Sequence, residues 1–324
     1  MPTPLAPLTT LRLGGPAREL VTCTTEAELV AAALEGGFLL GGGSNVVLPD
    51  AGLDRVVLVR TRGIEGLTVQ AGEDWDGVVA AFLEAGWVGV EALSGIPGTV
   101  GAAPIQNIGA YGADVASLVA SVRVLSRRTG EVVELPASAC GFSYRHSRFK
   151  AHPADSVVLA VTFDLTRGAL SAPIRYAELA AALGVELGER APVGQVREAV
   201  LALRRSKGMV LDAADPDSVS AGSFFTNPVV EKAPEGAPSW PDPSGLVKVS
   251  AAWLIEQAGF GKGWGAGRVG LSSKHTLALV NRGGATTAEL LAVARVIRDG
   301  VSARFGITLV NEPVIVAGGL DSPV

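Results

Sequence analysis

The chain has 324 residues, 48% of them hydrophobic and 18% charged, which is enough for two or three compact domains with sizeable cores. A net charge of −5 with no basic run argues against nucleic acid as the main partner, yet leaves room for an anionic small molecule held by local Arg and Lys side chains. Every apolar run is broken by Gly, Pro or charge before it could span a membrane. Met1-Pro2-Thr3-Pro4-Leu5 lacks the basic start and apolar core of a signal peptide, so the chain is expected in the cytoplasm and off the membrane. Cys23 and Cys140 belong to no Cys-x-x-Cys or Cys/His cluster. They read as buried thiols, and no metal site is expected.

Leu20–Cys23 reads as an apolar strand, followed by a helix that Thr25 and Glu28 open as a capping box. Leu29, Val30, Ala33 and Leu34 form its apolar face, and Gly36-Gly37 is its left-handed stop. The strand Phe38-Leu39-Leu40 runs into Gly41-Gly42-Gly43-Ser44-Asn45 and resumes at Val46. No Gly-Lys-Ser/Thr follows and no helix opens there, so this is neither a P-loop nor a dinucleotide fingerprint. Its main-chain donors, the Ser44 hydroxyl and the Asn45 amide suit a pyrophosphate, and a plain strand connection fits the segment equally well. Strands are expected at Arg55–Arg60 and Leu67–Ala71, and a helix at Trp75–Trp87.

The segment Gly95-Ile96-Pro97-Gly98-Thr99-Val100-Gly101 through Gly109-Ala110-Tyr111-Gly112 is too Gly-rich to be read as packing. Its apolar residues nevertheless bury it in part, so it is expected to wall a nucleotide-cofactor site, and its pairing with the Gly41 turn favours the pyrophosphate reading there.

A hairpin follows at Val119–Leu125 and Val132–Leu135, turned at Thr129-Gly130. Next comes Gly141 to Lys150, where Tyr144 and Phe149 as core residues with a solvated rim of cations are the usual outcome, and Arg145 held beside an aromatic offers a fixed carboxylate or phosphate clamp. Val157–Leu165 reads as a strand, Tyr176–Leu183 and Gly194–Ser206 as helices ending at Lys207-Gly208. The Asp-rich, aperiodic Leu211–Asp217 marks a domain boundary. Beyond it lie a helix at Val249–Ala258, a strand at Leu277–Asn281, a helix capped by Thr286 and Glu289, and a last strand at Thr308–Val316 that contains Glu312-Pro313. Gly265-Ala266-Gly267-Arg268-Val269-Gly270 matches the nicotinamide fingerprint in letters only, since no strand precedes it and no helical period follows.

Four blocks then combine in order: Gly41–Asn45, Pro104–Gly112, Tyr144–Lys150 and Gly222-Ser223-Phe224-Phe225-Thr226-Asn227-Pro228. Together they resemble the UDP-N-acetylenolpyruvoylglucosamine reductase family from about Thr10 to Val316. The resemblance implies an α+β flavoenzyme with an FAD-binding fold like that of the vanillyl-alcohol oxidases (the PCMH type). Two α/β subdomains, 1–62 and 63–210, would carry the FAD, and residues 211–307 would form an α+β substrate-binding domain. Residues 308–324 would return a strand to the active site. It implies NADPH as co-substrate, a UDP-sugar substrate, no nucleic acid, and a role in peptidoglycan precursor synthesis. No obligate protein partner is evident.

By family position Ser223 is the proton donor, Arg145 the carboxylate clamp and Glu312 the acidic partner at the enolate. Gly41, Gly42, Gly43, Ser44, Asn45, Gly98, Gly101, Ile105, Asn107, Gly109 and Ala110 fall to the cofactor. Tyr144, Tyr176, Lys207, Asn227 and His275 fall to the substrate, with Tyr176 as the closing tyrosine of the longer-loop (type I) subfamily. The chain departs from the family pattern at Thr9-Thr10, where Asn-Thr is usual, in a longer segment between Lys207 and Ser223, and in reading Asn311-Glu312-Pro313-Val314 where Pro-Glu-Val-Arg is common. A flavoenzyme for an alcohol or lactone, or an idle nucleotide binder, would leave the Ser223 block unexplained. A serine hydrolase would need the Gly-x-Ser-x-Gly elbow that Ser223 lacks.

Overall fold

The computed structural model describes residues 1–316 and 318–320. Two compact units emerge: a central one of residues 19–42 and 54–205, and a C-terminal one of residues 1–18, 43–53 and those from 206 onward. The cut falls at 206, and 1–18 and 43–53 group with the residues beyond it.

In the central unit the Thr25–Glu28 capping box forms in both directions, and the helix Glu26–Glu35 buries Leu29, Ala32 and Ala33. Leu34 is exposed instead, because five residues on from Leu29 it has turned out of the stripe. Strand Phe38–Leu40 pairs in parallel with Leu53–Val59. A five-stranded antiparallel sheet runs in the order Val132–Pro136, Val119–Ser126, Ser156–Phe163, Thr68–Gln70, Ile64–Glu65. Its register slips between Arg123 and Val124, where the partner residue steps from Ala160 to Val158. That bulge re-faces the strand: Val157 and Leu159 pack with Leu29 and Ala33, whereas Val161 and Phe163 pack with Trp75, Val78 and Phe82. The helix over those last residues ends at Glu84, short of the expected Trp87, because Gly86 at φ 81° turns the chain and Trp87–Val88 pairs with Thr166–Arg167.

In the C-terminal unit the helix Thr287–Phe305, boxed by Thr286 and Glu289, buries Leu290, Ala294, Ile297 and Val301. It packs on the helix Ala251–Gln257 and on the antiparallel sheet Ser220–Ser223, Ala278–Asn281, Val269–Leu271. Residues 43–53 belong here for two reasons. Val46–Val47 pairs in parallel with Val314–Ile315, and the Asp50 carboxylate accepts from Thr287 N at 2.8 Å and Ala288 N at 3.0 Å. The N-terminal residues are tied in by Asn281 Nδ2, which donates to Leu11 O at 2.9 Å. The expected last strand shrinks to Val314–Ile315 plus one bridge from Asn311 to Phe225, since Pro313 has no N–H to carry the ladder through. Gly265–Gly270 leads into the strand Val269–Leu271, with no helix.

Cys23 and Cys140 are both free and buried; burial raises both thiols, Cys140 to about 11. Among the described residues no helix is long and apolar enough to cross a membrane, and no group of three or more His, Cys, Asp or Glu could hold a metal.

Candidate active site

In the C-terminal unit, Ser223 closes a strand whose register slips between Ser220, opposite Val280, and Ser223, opposite Ala278. Gly222, at φ 70° with open space where a Cβ would point, takes up that slip. Beyond the serine, Phe224 N donates to Leu277 O at 2.7 Å, and Phe224 O accepts from Glu312 N at 2.8 Å. Phe224 and Phe225 are buried edge to face at 5.2 Å, which fixes this crossing in the core. The Glu312 main chain is thereby bonded to the residue next to Ser223. Two residues on, Val314 N donates to Asn45 O at 3.0 Å, which brings the Gly43-Ser44-Asn45 turn to the same segment.

Gly43 sits at φ 64° against Leu8 O, and its own carbonyl accepts from Thr10 N at 3.0 Å. The Thr10 hydroxyl is buried with no hydrogen-bond partner. Asn227 commits its side-chain oxygen to Ala251 N at 2.9 Å, holding the start of a helix. Half-buried Lys207 and His275 stand on separate turns, one after the helix Val193–Ser206 and one between the strands Val269–Leu271 and Ala278–Asn281.

In the central unit the two glycine segments do meet. A Cβ on Gly42 would lie 2.6 Å from Gly98 Cα, and one on Gly41 would lie 2.7 Å from Thr99 Oγ1. Gly101 is pressed against Ala71 in the same way, at 2.5 Å. These glycines therefore serve close packing, against the expectation that the stretch is too Gly-rich for it. A short helix, Ala102–Gln106, forms inside the stretch and Asn107 closes it at φ 46°. Asn107 donates to Ser143 O at 2.7 Å and accepts from Ala116 N at 3.0 Å, so its amide stitches loops together.

Ile105 O accepts from Ser147 Oγ at 2.7 Å, and Gly109–Ala110 pairs with Ala113–Asp114 through the turn Tyr111-Gly112. Arg145 occupies the tip of a turn closed by Ser143 and His146, itself at φ 53°. Its guanidinium donates to Gly109 O at 2.6 Å and Asn107 O at 3.3 Å, and lies 5.5 Å from the Tyr144 ring centre. Tyr144 and Tyr176 are both exposed, and Tyr176 stands edge-on to Tyr111 at 5.5 Å.

Burial pushes the Tyr111 phenol up to about 12 and raises Tyr176 as well, so both stay neutral donors at ordinary pH. Arg204 is 8% exposed; burial lowers its pKa, Tyr111 and Asp76 oppose that, and the charge of Arg145 adds to it. Arg204 Nε holds Gly95 O at 3.1 Å, and Asp76 takes Gly95 N at 2.6 Å while gripping Arg197 at 2.6 and 2.8 Å. Sequence reasoning gave no role to Arg204, though Val196, Val200 and Arg204 recur every fourth residue and all three are buried. An arginine in register with a buried stripe is a readable signal.

Residues 19–136 match the model of the FAD binding domain, and residues 215–316 that of UDP-N-acetylenolpyruvoylglucosamine reductase, C-terminal domain. Fold and site thus define a mixed α/β, FAD-dependent oxidoreductase with a reductase domain at its C-terminal end. UDP-N-acetylenolpyruvoylglucosamine reductase of Streptomyces coelicolor is 53% identical, the match covering 98% of this chain and 90% of the relative. That of Thermobifida fusca is 51% identical over 97% of this chain and 96% of the relative. The crystal structure of UDP-N-acetylenolpyruvylglucosamine reductase (MurB) from Thermus caldophilus superposes with a TM-score of 0.71 at 26% identity, covering 97% of this chain and 98% of that one. The chain belongs to the UDP-N-acetylenolpyruvoylglucosamine reductase family.

Proposed function

We propose that the chain reduces the enolpyruvyl group of UDP-N-acetylglucosamine enolpyruvate to UDP-N-acetylmuramate, using NADPH through bound FAD, as a step in peptidoglycan precursor synthesis in the cytoplasm. The observation that carries this reading is the ladder that bonds the Glu312 main chain to Phe224, beside Ser223. The residues fit FAD. The Gly43-Ser44-Asn45 turn offers main-chain donors and a hydroxyl, and the Thr10 hydroxyl, buried without a partner, extends a donor set suited to a pyrophosphate. Gly41, Gly42, Gly98, Gly101, Ile105, Asn107, Gly109 and Ala110 would line the rest of the cofactor. When bound, the flavin supplies hydride uptake from NADPH and hydride delivery to the β-carbon of the enolpyruvyl ether.

Negative charge then gathers on the carboxylate-bearing fragment as an enolate. Arg145 holds that carboxylate, its guanidinium fixed by Gly109 O and Asn107 O. Ser223 delivers a proton to the α-carbon, and Glu312 is the acidic partner of that transfer. A serine hydroxyl is a weak acid, so its developing alkoxide is stabilised by main-chain donors near Gly222 or by Lys207.

In this reading residues 1–62 and 63–210 carry the cofactor, 211–307 the UDP-sugar, and the segment from 308 returns Glu312. Tyr144, Lys207 and His275 contact the substrate. Asn227, whose oxygen is committed to a helix, presents its NH2 group. Tyr176 closes over the substrate as in the longer-loop subfamily. Small molecules suffice as partners. The test is an anaerobic spectrum of purified protein through stepwise NADPH, then UDP-N-acetylglucosamine enolpyruvate. A flavin band that bleaches and returns with that substrate is the expected result. Bleaching without return would point to another flavoenzyme, and folded protein without flavin would overturn the assignment.

A further inference from the structure

We infer that Asp217 is a positioning residue for the reaction: it clamps the turn carrying His275 to the turn carrying Lys207. The inference rests on the reading of those two residues as substrate contacts. Asp217 itself is buried, 8% exposed, in the short helical turn Pro216–Ser218 that leads into the strand ending at Ser223. One of its carboxylate oxygens accepts from Ser273 N at 3.0 Å and the other from Ser273 Oγ at 2.6 Å. Ser272, fully buried, accepts at its hydroxyl from Lys274 N at 3.0 Å and His275 N at 3.3 Å. The carboxylate therefore holds Ser273, two residues before His275, and its neighbour Ser272 ties Lys274 and His275 into the same turn.

On its other side Asp217 packs against the Lys207-Gly208 turn, where Gly208 sits at φ 67°. A Cβ there would lie 2.9 Å from Asp217 Cβ, so no larger residue fits between the two turns. Asp215, two residues earlier, accepts from Asp217 N at 3.1 Å and pairs with Lys274 Nζ at 2.8 Å, which pins the same turn from a second side. Burial alone would raise the Asp217 pKa, but the Ser273, Ser272 and Lys274 groups outweigh it and hold the carboxyl below its ordinary value. An ionised acceptor placed between two substrate-bearing turns fixes their spacing.

The experiment is steady-state kinetics on the flavin-loaded enzyme with Asp217→Asn, which keeps the packing against Gly208 but removes the charge and one acceptor. KM for UDP-N-acetylglucosamine enolpyruvate should rise about tenfold, in proportion to a lost charged hydrogen bond, with kcat and the flavin bleaching rate at saturating NADPH within about twofold. Should Asp217→Asn fold poorly, Ser273→Ala removes only the exposed hydroxyl donor and should shift KM in the same direction by a smaller factor. Ser273→Thr, which restores the donor, should return KM to the parental value. Unchanged KM in both Asp217→Asn and Ser273→Ala, or an equal loss of kcat, would overturn the positioning role. Lys207→Ala and His275→Ala separate this from the reading beneath it: if neither raises KM, the substrate assignment has failed, whereas if they do and Asp217→Asn does not, only the clamp has.

Discussion

Ser223 and Arg145 each leave the chain beside a left-handed backbone, but the two turns are built differently. Ahead of Ser223 the positive φ of 70° falls on Gly222, which adopts it freely and meets nothing where a Cβ would be. In the turn closed by Ser143 and His146 the φ of 53° falls on Arg145 itself, at a cost on the order of 1 kcal/mol. Two guanidinium hydrogen bonds and the bond from Lys150 Nζ to Arg145 O at 3.1 Å offset that cost. The serine's aim is set by local backbone, whereas the arginine's depends on a network of loops. Strain falls on Arg145 where its neighbours over-determine the turn.

The largest effect that sharpens this contrast is at Ser223. Ser223→Ala should leave bleaching of the flavin by NADPH intact and slow its return with substrate by roughly 10³-fold, the scale of a lost general acid. Stopped-flow absorbance separates the two steps, and survival of both would remove the donor role.

Arg145 comes next. Arg145→Ala should slow the substrate step by about 10- to 100-fold and spare flavin reduction, as expected for loss of a charge-assisted contact. Arg145→Gly should lose as much activity yet melt higher than Arg145→Ala by an amount equivalent to about 1 kcal/mol, because only glycine sheds the strain. Equal melting temperatures would mean that the turn relaxes out of the left-handed region once the side chain is gone, and the contrast with Gly222 would fall.

How far this was legible in the sequence follows the same division between local and networked features. Capping boxes at Thr25–Glu28 and Thr286–Glu289, the hairpin through Gly130 and the glycine stop after Ser206 are local, and the observed elements agree with them. The grouping of 43–53 with the C-terminal residues was not legible, because it depends on Asp50 capping a helix 237 residues away and on a two-residue parallel pairing. At the candidate site the residue types could be singled out from motifs. What they touch could not: that Asn107 and Asn227 spend side-chain atoms on main chain, or that Gly42 faces another glycine, is set by loops distant in sequence. Arg204 left a signal in its register with a buried stripe, whereas Asp217 left none, because a charge in an Asp-rich linker gains meaning only from its partners.

Two glycines test that division more gently. Gly42→Ala would drive a methyl into Gly98 Cα, main chain against main chain, and should cost about 1–3 kcal/mol by denaturant titration. Gly222→Ala meets open space, so only the backbone penalty of about 1 kcal/mol applies, and the loss should show mainly in the Ser223-dependent step. If Gly222→Ala were the costlier for stability, the reading of Gly42 as a packing glycine would be wrong.

The smallest expected effect concerns acid. Burial alone would raise the Asp76 pKa, but the paired bonds from Arg197 and the Gly95 amide outweigh it and hold the carboxyl below its ordinary value. A carboxylate whose folded pKa is depressed contributes stability above its unfolded pKa, about 4, and that contribution fades as pH falls through the folded value. Asp76→Asn should therefore melt lower than the parent at pH 7, by an amount on the order of 1 kcal/mol for a part-exposed pair, and the gap should close below about pH 4. Asp217 titrates on the same acid limb in the C-terminal unit and is unchanged in both proteins, so the difference between the two melting curves isolates Asp76. A gap that stays constant down to pH 3 would assign the loss to the shape of the amide rather than to the charge that fastens Gly95.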